Sequence, residues 1–155
     1  MWLEINDNND VIKFMNEMCF FHDSCIKEIR YLSGAYVDDE LSMYPVNDCR
    51  KLNVIVQRQF ENLSMIEMEF EGLKKLNLYP VNNEYTCEIL DSTMIYKNGF
   101  IYWCDCGGLT EADIEQYNGT IICASKLRWR SIKNRMGKEE VFQNTACDTP
   151  PSNEN

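Results

Sequence analysis

A single histidine, His22, stands in the 155-residue chain, followed at once by Asp23 and three positions on by Cys25. An imidazole beside a carboxylate, with a thiol in reach, is the minimum for acid–base or thiol chemistry. The carboxylate orients the ring, and the ring takes the nucleophile's proton. A small hydrolase or thiol enzyme using His22 with Asp23 or Cys25 is therefore one reading of the sequence. The histidine count narrows it. Metal phosphohydrolases that hold ions through several histidines, zinc proteases with paired helical histidines and two-imidazole ribonucleases all need a second ring. The competing reading is structural: His22 and Asp23 hydrogen-bond the junction between the first helix and the first strand.

Cys104-Asp105-Cys106 places two thiols on one face of a strand, which could begin a metal or redox site. Structural zinc takes two Cys-x₂₋₄-Cys knuckles, and here there is one short pair and no second, so neither metal nor cofactor is expected. Gly107-Gly108 lacks the spacing of a phosphate-cradling loop. The eight cysteines would suit a disulfide framework in an exported chain. Met1 to Asp7 shows no basic segment leading into an apolar one. The expectation is a cytoplasmic protein with reduced thiols, most of them small core hydrophobes. No apolar run approaches the ~20 residues that cross a bilayer, so no membrane partner is expected.

Charge supplies the other candidate chemistry. Twenty-five acidic against 15 basic side chains give a net charge of -10, which repels nucleic acid and favours a basic protein partner. The carboxylates cluster at Glu67, Glu69 and Glu71 on one side of a strand, at Asp38, Asp39 and Glu40, and at Glu111, Asp113 and Glu115 in loops. A row of like charges two residues apart is either a solvated face that resists edge-to-edge aggregation or an acidic docking face. In Lys126-Leu127-Arg128-Trp129-Arg130 the alternation buries Leu127 and Trp129 and turns three cations outward, as counter-charge for the glutamates. A pocket lined by Tyr96, Tyr102 and Trp103 is a third possibility, for a small ligand.

The elements that position these residues follow from periodicity. Val11, Ile12, Phe14, Met15, Met18 and Cys19 recur at helical spacing over residues 8–20, with Asn9 or Asp10 as N-cap. Beyond the helix the period becomes two. In 51–60, Leu52, Val54, Val56 and Phe60 oppose Lys51, Asn53, Gln57 and Gln59; in the next run, Ile66, Met68 and Phe70 oppose the glutamates. The short Glu61-Asn62-Leu63 link predicts an antiparallel hairpin. Gly72 ends this strand, and residues 75–79 form another that stops at Pro80. Asn98-Gly99 between two β-rich runs predicts a tight type I′ hairpin. A polar excursion over 105–119 holds one helical turn near Thr110 to Asp113, and a last strand runs from Thr120 to Arg130, burying Ile121, Cys123, Leu127 and Trp129.

The fold class is thus α+β: one N-terminal helix packed on a mostly antiparallel, strongly twisted sheet or partly open barrel of about six to eight strands. Residues 1–132 form a single domain, and 133–155 a polar, mobile tail.

Phe21-His22-Asp23-Ser24 opening the first strand, the hairpin closing on Met68-Glu69-Phe70-Glu71-Gly72, and Ala124-Ser125-Lys126-Leu127-Arg128-Trp129 carry a family resemblance. Over residues 20–130 the chain resembles small bacterial α+β proteins that include the immunity-like families of contact-dependent and polymorphic toxin systems. The resemblance implies a non-catalytic cytoplasmic antidote that binds a toxin domain. It assigns no toxin-contacting residue, and it makes His22 and Trp129 structural positions.

Overall fold

The computed structural model describes residues 1–80, 84 and 86–142. A first strand, β1 (Leu3–Ile5), leads into helix α1 (Asn8–Glu17). The N-cap is Asp7 rather than Asn9 or Asp10. Asp7 has the extended backbone an N-cap requires, and its carboxylate accepts from the N–H groups of Asn9 and Asp10. Val11, Phe14 and Met15 face inward, while Ile12 lies on the solvent side of the helix. The chain then turns through Cys19, Phe20 and Phe21, all with left-handed backbone, and buries Phe21. Buried Arg58 clamps this corner by donating to the Met18 and Leu63 carbonyls, both at 2.9 Å.

Seven strands make one antiparallel sheet. Its order is β2 (Ser24–Leu32), β5 (Lys51–Arg58), β6 (Met65–Asn77), β9 (Ile121–Ser131), β8 (Phe100–Cys104) and β7 (Thr93–Lys97). β1 pairs with β9 at Leu127 to Trp129, beyond the stretch that β8 occupies. The β7–β8 turn has positive φ at both Asn98 (52°) and Gly99 (77°), as a type I′ hairpin demands. The β5–β6 hairpin also forms where the sequence predicts it. Two short strands, β3 (Tyr36–Val37) and β4 (Met43–Tyr44), form a separate hairpin outside the main sheet.

Gly72 does not end β6. It takes φ +62° and faces Ser125, and a Cβ there would lie 2.1 Å from the Ser125 hydroxyl. The strand continues through it to Asn77, with a register shift between Leu73 and Lys75, so residues 75–77 of the expected separate strand are the far end of β6 and 78–79 are not strand. The face also switches here: Met68 and Phe70 belong to the central core, and Leu73 packs against that same core. β9 switches opposite it. Ile122 and Ala124 join Leu127 and Trp129 in the central core, whereas Ile121 and Cys123 face the other way. The expected single inward row of Ile121, Cys123, Leu127 and Trp129 is thereby split.

The central core lies between α1 and one face of the sheet. Val54, Met68 and Trp129 align across three strands, as do Leu52, Phe70 and Leu127. The rings of Trp129, Phe14, Phe21 and Trp103 make a continuous aromatic line, with neighbouring centroids 5.1–5.7 Å apart. The opposite face carries two further apolar clusters. At one end, α2 (Glu111–Ile114) sets Ile114 on Tyr102, Cys104, Ile121 and Cys123. At the other, Val141 covers Ile55 and Met65.

That second contact corrects the expected tail. Residues 133–142 return to the sheet: the Val141 and Phe142 N–H groups donate to the Glu28 carboxylate, and Gln57 Nε2 donates to the Gly137 carbonyl at 3.1 Å. The remainder of the expected tail, 143–155, lies outside the described residues.

Candidate protein-docking site

His22 and Asp23 lie at the helix-to-sheet junction, and their side chains pair with each other, Nδ1 to Oδ1 at 2.9 Å, with both well exposed. The junction is pinned by backbone instead. The Gln59 N–H donates to the Asp23 carbonyl at 2.9 Å, the His22 N–H donates to the Cys19 carbonyl at 3.0 Å, and the Ser24 hydroxyl donates to the Phe21 carbonyl. Cys25 is half-buried on β2. Burial pushes its thiol up, and so does Cys87; Lys27 and the Gln57 backbone only partly oppose them. An activated thiol needs the reverse shift.

Cys104 and Cys106 do not share a strand face. Cys104 closes β8, buried, and its thiol donates to the Cys106 carbonyl at 3.4 Å; Cys106 lies in the following turn and donates to the Gly107 carbonyl. Among the described residues no group of three or more His, Cys, Asp or Glu side chains is arranged to hold a metal ion. Of the seven cysteines described, all free, only Cys104 and Cys123 are buried, so most are not core hydrophobes. The expected aromatic pocket does not assemble either, because neighbours along a strand point to opposite faces. Trp103 lies in the central core, and Tyr102 faces the α2 cluster, its hydroxyl pushed up to about 12 by burial and by the Cys123 thiol.

The glutamate row is the largest departure from expectation. Glu67 and Glu69 are 6% and 7% exposed, not solvated. The register places Glu67 opposite Arg130, Glu69 opposite Arg128 and Glu71 opposite Lys126. Arg130 Nε donates to Glu67 Oε2 at 2.8 Å, and Arg128 Nε to Glu69 Oε1 at 2.7 Å. Asn53, on the next strand, divides its amide between them, donating to Glu67 Oε1 at 2.9 Å and Glu69 Oε2 at 3.1 Å. All four carboxylate oxygens are therefore engaged. Lys51 bridges Glu69 and Glu71 at 3.6 and 3.3 Å, and the Trp2 ring covers both guanidiniums, 4.6 Å from Arg128 and 4.5 Å from Arg130. Burial alone would push the Glu69 carboxyl up. Hydrogen bonds from Asn53 and Arg128, and the nearby cationic charges, outweigh burial and hold it below the usual carboxylate range. The cations expected as counter-charge serve that purpose here, and every carboxylate oxygen of Glu67 and Glu69 already has a partner within the sheet.

Asp38, Asp39 and Glu40 occupy a different setting. They form the tip of the β3–β4 hairpin, an arm projecting from the end of β2. Its turn follows from the residue types. Asp38 Oδ1 accepts from the N–H groups of Glu40 (3.0 Å) and Ser42 (2.9 Å), the side-chain-to-backbone pattern that lets Asp nucleate a turn. Tyr36, Val37, Met43 and Tyr44 supply β-favouring flanks, and the Tyr36 and Tyr44 rings stack at 4.7 Å, 9° from parallel.

The base of the arm is tied down. The Ser33 carbonyl accepts from both Cys49 and Arg50 N–H groups, at 3.0 and 3.1 Å. Gly34, at φ +101°, lets the two chains pass closely; a Cβ would meet Asp48 Oδ1 at 2.1 Å and the Cys49 nitrogen at 2.8 Å.

The arm is also where apolar surface is left in water. Six of the seventeen large hydrophobic side chains exposed among the described residues fall between Tyr36 and Val46, with Leu41 85% and Met43 64% exposed. Scattered exposed hydrophobics need no explanation, but here they are concentrated on one element outside the main sheet. The signal in the sequence was two short aromatic-containing β segments around an acidic turn; that they stand clear of the sheet was not readable there.

No family model, no curated protein and no solved structure matches this chain. No helix among the described residues is long and apolar enough to cross a membrane.

Proposed function

We propose that this protein is a non-catalytic binding module that holds a basic protein partner with the β3–β4 arm, as an immunity-like antidote would hold a cationic toxin domain. The observation that carries the reading is the arm itself: exposed apolar and aromatic side chains beside Asp38, Asp39 and Glu40. Among the described residues no lysine, arginine or histidine forms an ion pair with these three carboxylates, whereas the sheet glutamates are matched internally. Desolvating the apolar flanks supplies affinity, and the acidic tip of a chain with net charge -10 steers a cationic partner toward it. The single bridge between Ser24 and Ile89 supports a sheet that coils toward a partly open barrel, a stiff base for the arm.

The test is titration with the product of the gene beside this chain's own, at low and at high salt. Tight association that weakens with salt, and that Asp39→Asn with Glu40→Gln and Leu41→Ser removes, is the expected result. Association unchanged by those substitutions, or none at all, overturns the proposal.

A further inference from the structure

The outer face of the sheet shows how this chain completes a particular three-part contact. Arg128 and Arg130 each lie over the Trp2 ring and donate sideways to a carboxylate, Glu69 for one and Glu67 for the other. A planar guanidinium suits that arrangement, because it stacks flat on a ring while its edge forks into an acceptor; a lysine ammonium does neither as well.

The arm presents two of the three parts. Tyr36 and Tyr44 stack on each other and remain exposed, so each ring keeps an outer face available to a planar group. Asp38 follows Tyr36 by two residues in a ladder that the bond from the Asp38 N–H to the Ser42 carbonyl prolongs (3.1 Å). Asp38 opens the turn directly after β3, about 7 Å along the chain from Tyr36. Its Oδ1 is held by two backbone N–H groups, which fix the carboxylate in place, and the other oxygen accepts no hydrogen bond from the described residues. No cation among the described residues lies over either ring.

We infer that the arm is an arginine-recognition site: the Tyr36–Tyr44 stack and the Asp38 carboxylate take up a guanidinium presented by the basic partner. The inference rests on the arm being the docking element and adds which cation the partner must present there.

The probes are octa-arginine and octa-lysine peptides, equal in length and charge, titrated against the full chain by calorimetry at matched salt. Octa-arginine should bind roughly fivefold more tightly, the ratio that an exposed cation–π contact supplies. Tyr36→Leu with Tyr44→Leu should bring the two affinities together. That pair keeps apolar bulk on an element outside the main sheet, and an unchanged thermal unfolding midpoint checks that the domain is intact.

Equal affinities in the wild type, both lost when the acidic tip is neutralised, would overturn the arginine preference and leave the arm as a docking site for a basic protein. An arginine preference that survives the tyrosine substitutions would overturn the ring stack as its source. Binding that no arm substitution alters, or no binding of either peptide, would overturn the docking role together with the preference.

Discussion

Glu67, Glu69 and Glu71 on β6 and Asp38, Asp39 and Glu40 on the arm are two sets of three carboxylates, and they have opposite fates. The sheet set faces a strand that carries Arg128 and Arg130 in register, with Trp2 above and Asn53 alongside, so two of its members are buried with every oxygen partnered. The arm set tops a hairpin that, among the described residues, no other strand joins; Asp39 and Glu40 stay in water, and Asp38 is engaged by its own turn. The lesson is that an acidic cluster is available to a partner only where the fold has not already supplied its counter-charge.

The largest effect that would break this contrast is on stability. Glu69→Ala leaves Asn53, Arg128 and Lys51 short of an acceptor in a region shielded from water. It should cost about 2–3 kcal/mol, under the usual range for breaking a buried pair because Arg128 can swing outward to solvent. A denaturant midpoint measures it, and a loss no greater than that of an arm substitution would void the distinction.

Next comes the base of the arm. Gly34→Ala forces a Cβ into left-handed backbone and against the Cys49 nitrogen, at about 1–2 kcal/mol, and it should weaken partner binding by displacing the arm. A variant that binds as well as wild type would show that the arm's placement is immaterial.

Acid sharpens the contrast further. The Glu69 carboxyl lies lower in the folded chain than in the unfolded one, so the folded state binds fewer protons as the pH drops. Its contribution is complete above the ordinary glutamate value of about 4.3 and is lost as pH falls through the depressed folded value. Thermal midpoints between about pH 6 and about pH 3 should therefore fall less steeply in Glu69→Gln than in wild type. Asp39→Asn with Glu40→Gln should leave the slope as it is. The smallest effect expected is that same double substitution at neutral pH, within about 0.5 kcal/mol of wild-type stability. A larger loss would mean that the tip is not free.

Local chemistry made part of this legible. The Asn98-Gly99 hairpin is specified by two adjacent residues that accept positive φ, and the alternation of 66–71 and of 126–130 is plain in the sequence. The pairing of Arg128 and Arg130 with the glutamates was also readable as counter-charge. What alternation cannot say is whether the polar side is wet, and here Trp2, from the other end of the chain, covers it. Gly72 was misread because a glycine can take positive φ inside a strand without ending it. The region from Lys133 lacks periodicity, yet Val141 reaches the sheet through two backbone N–H groups on Glu28, a contact between residues more than a hundred positions apart.

By itself the sequence determined the α+β class, the antiparallel hairpins, the acid excess and the shortage of imidazoles, because each depends on composition or on neighbours a few residues away. Only the tertiary structure decided which carboxylates are spent and which are offered. Exposure is a property of what packs above a residue, and for Glu69 that is a ring and two cations from distant segments, while for Asp39 it is water.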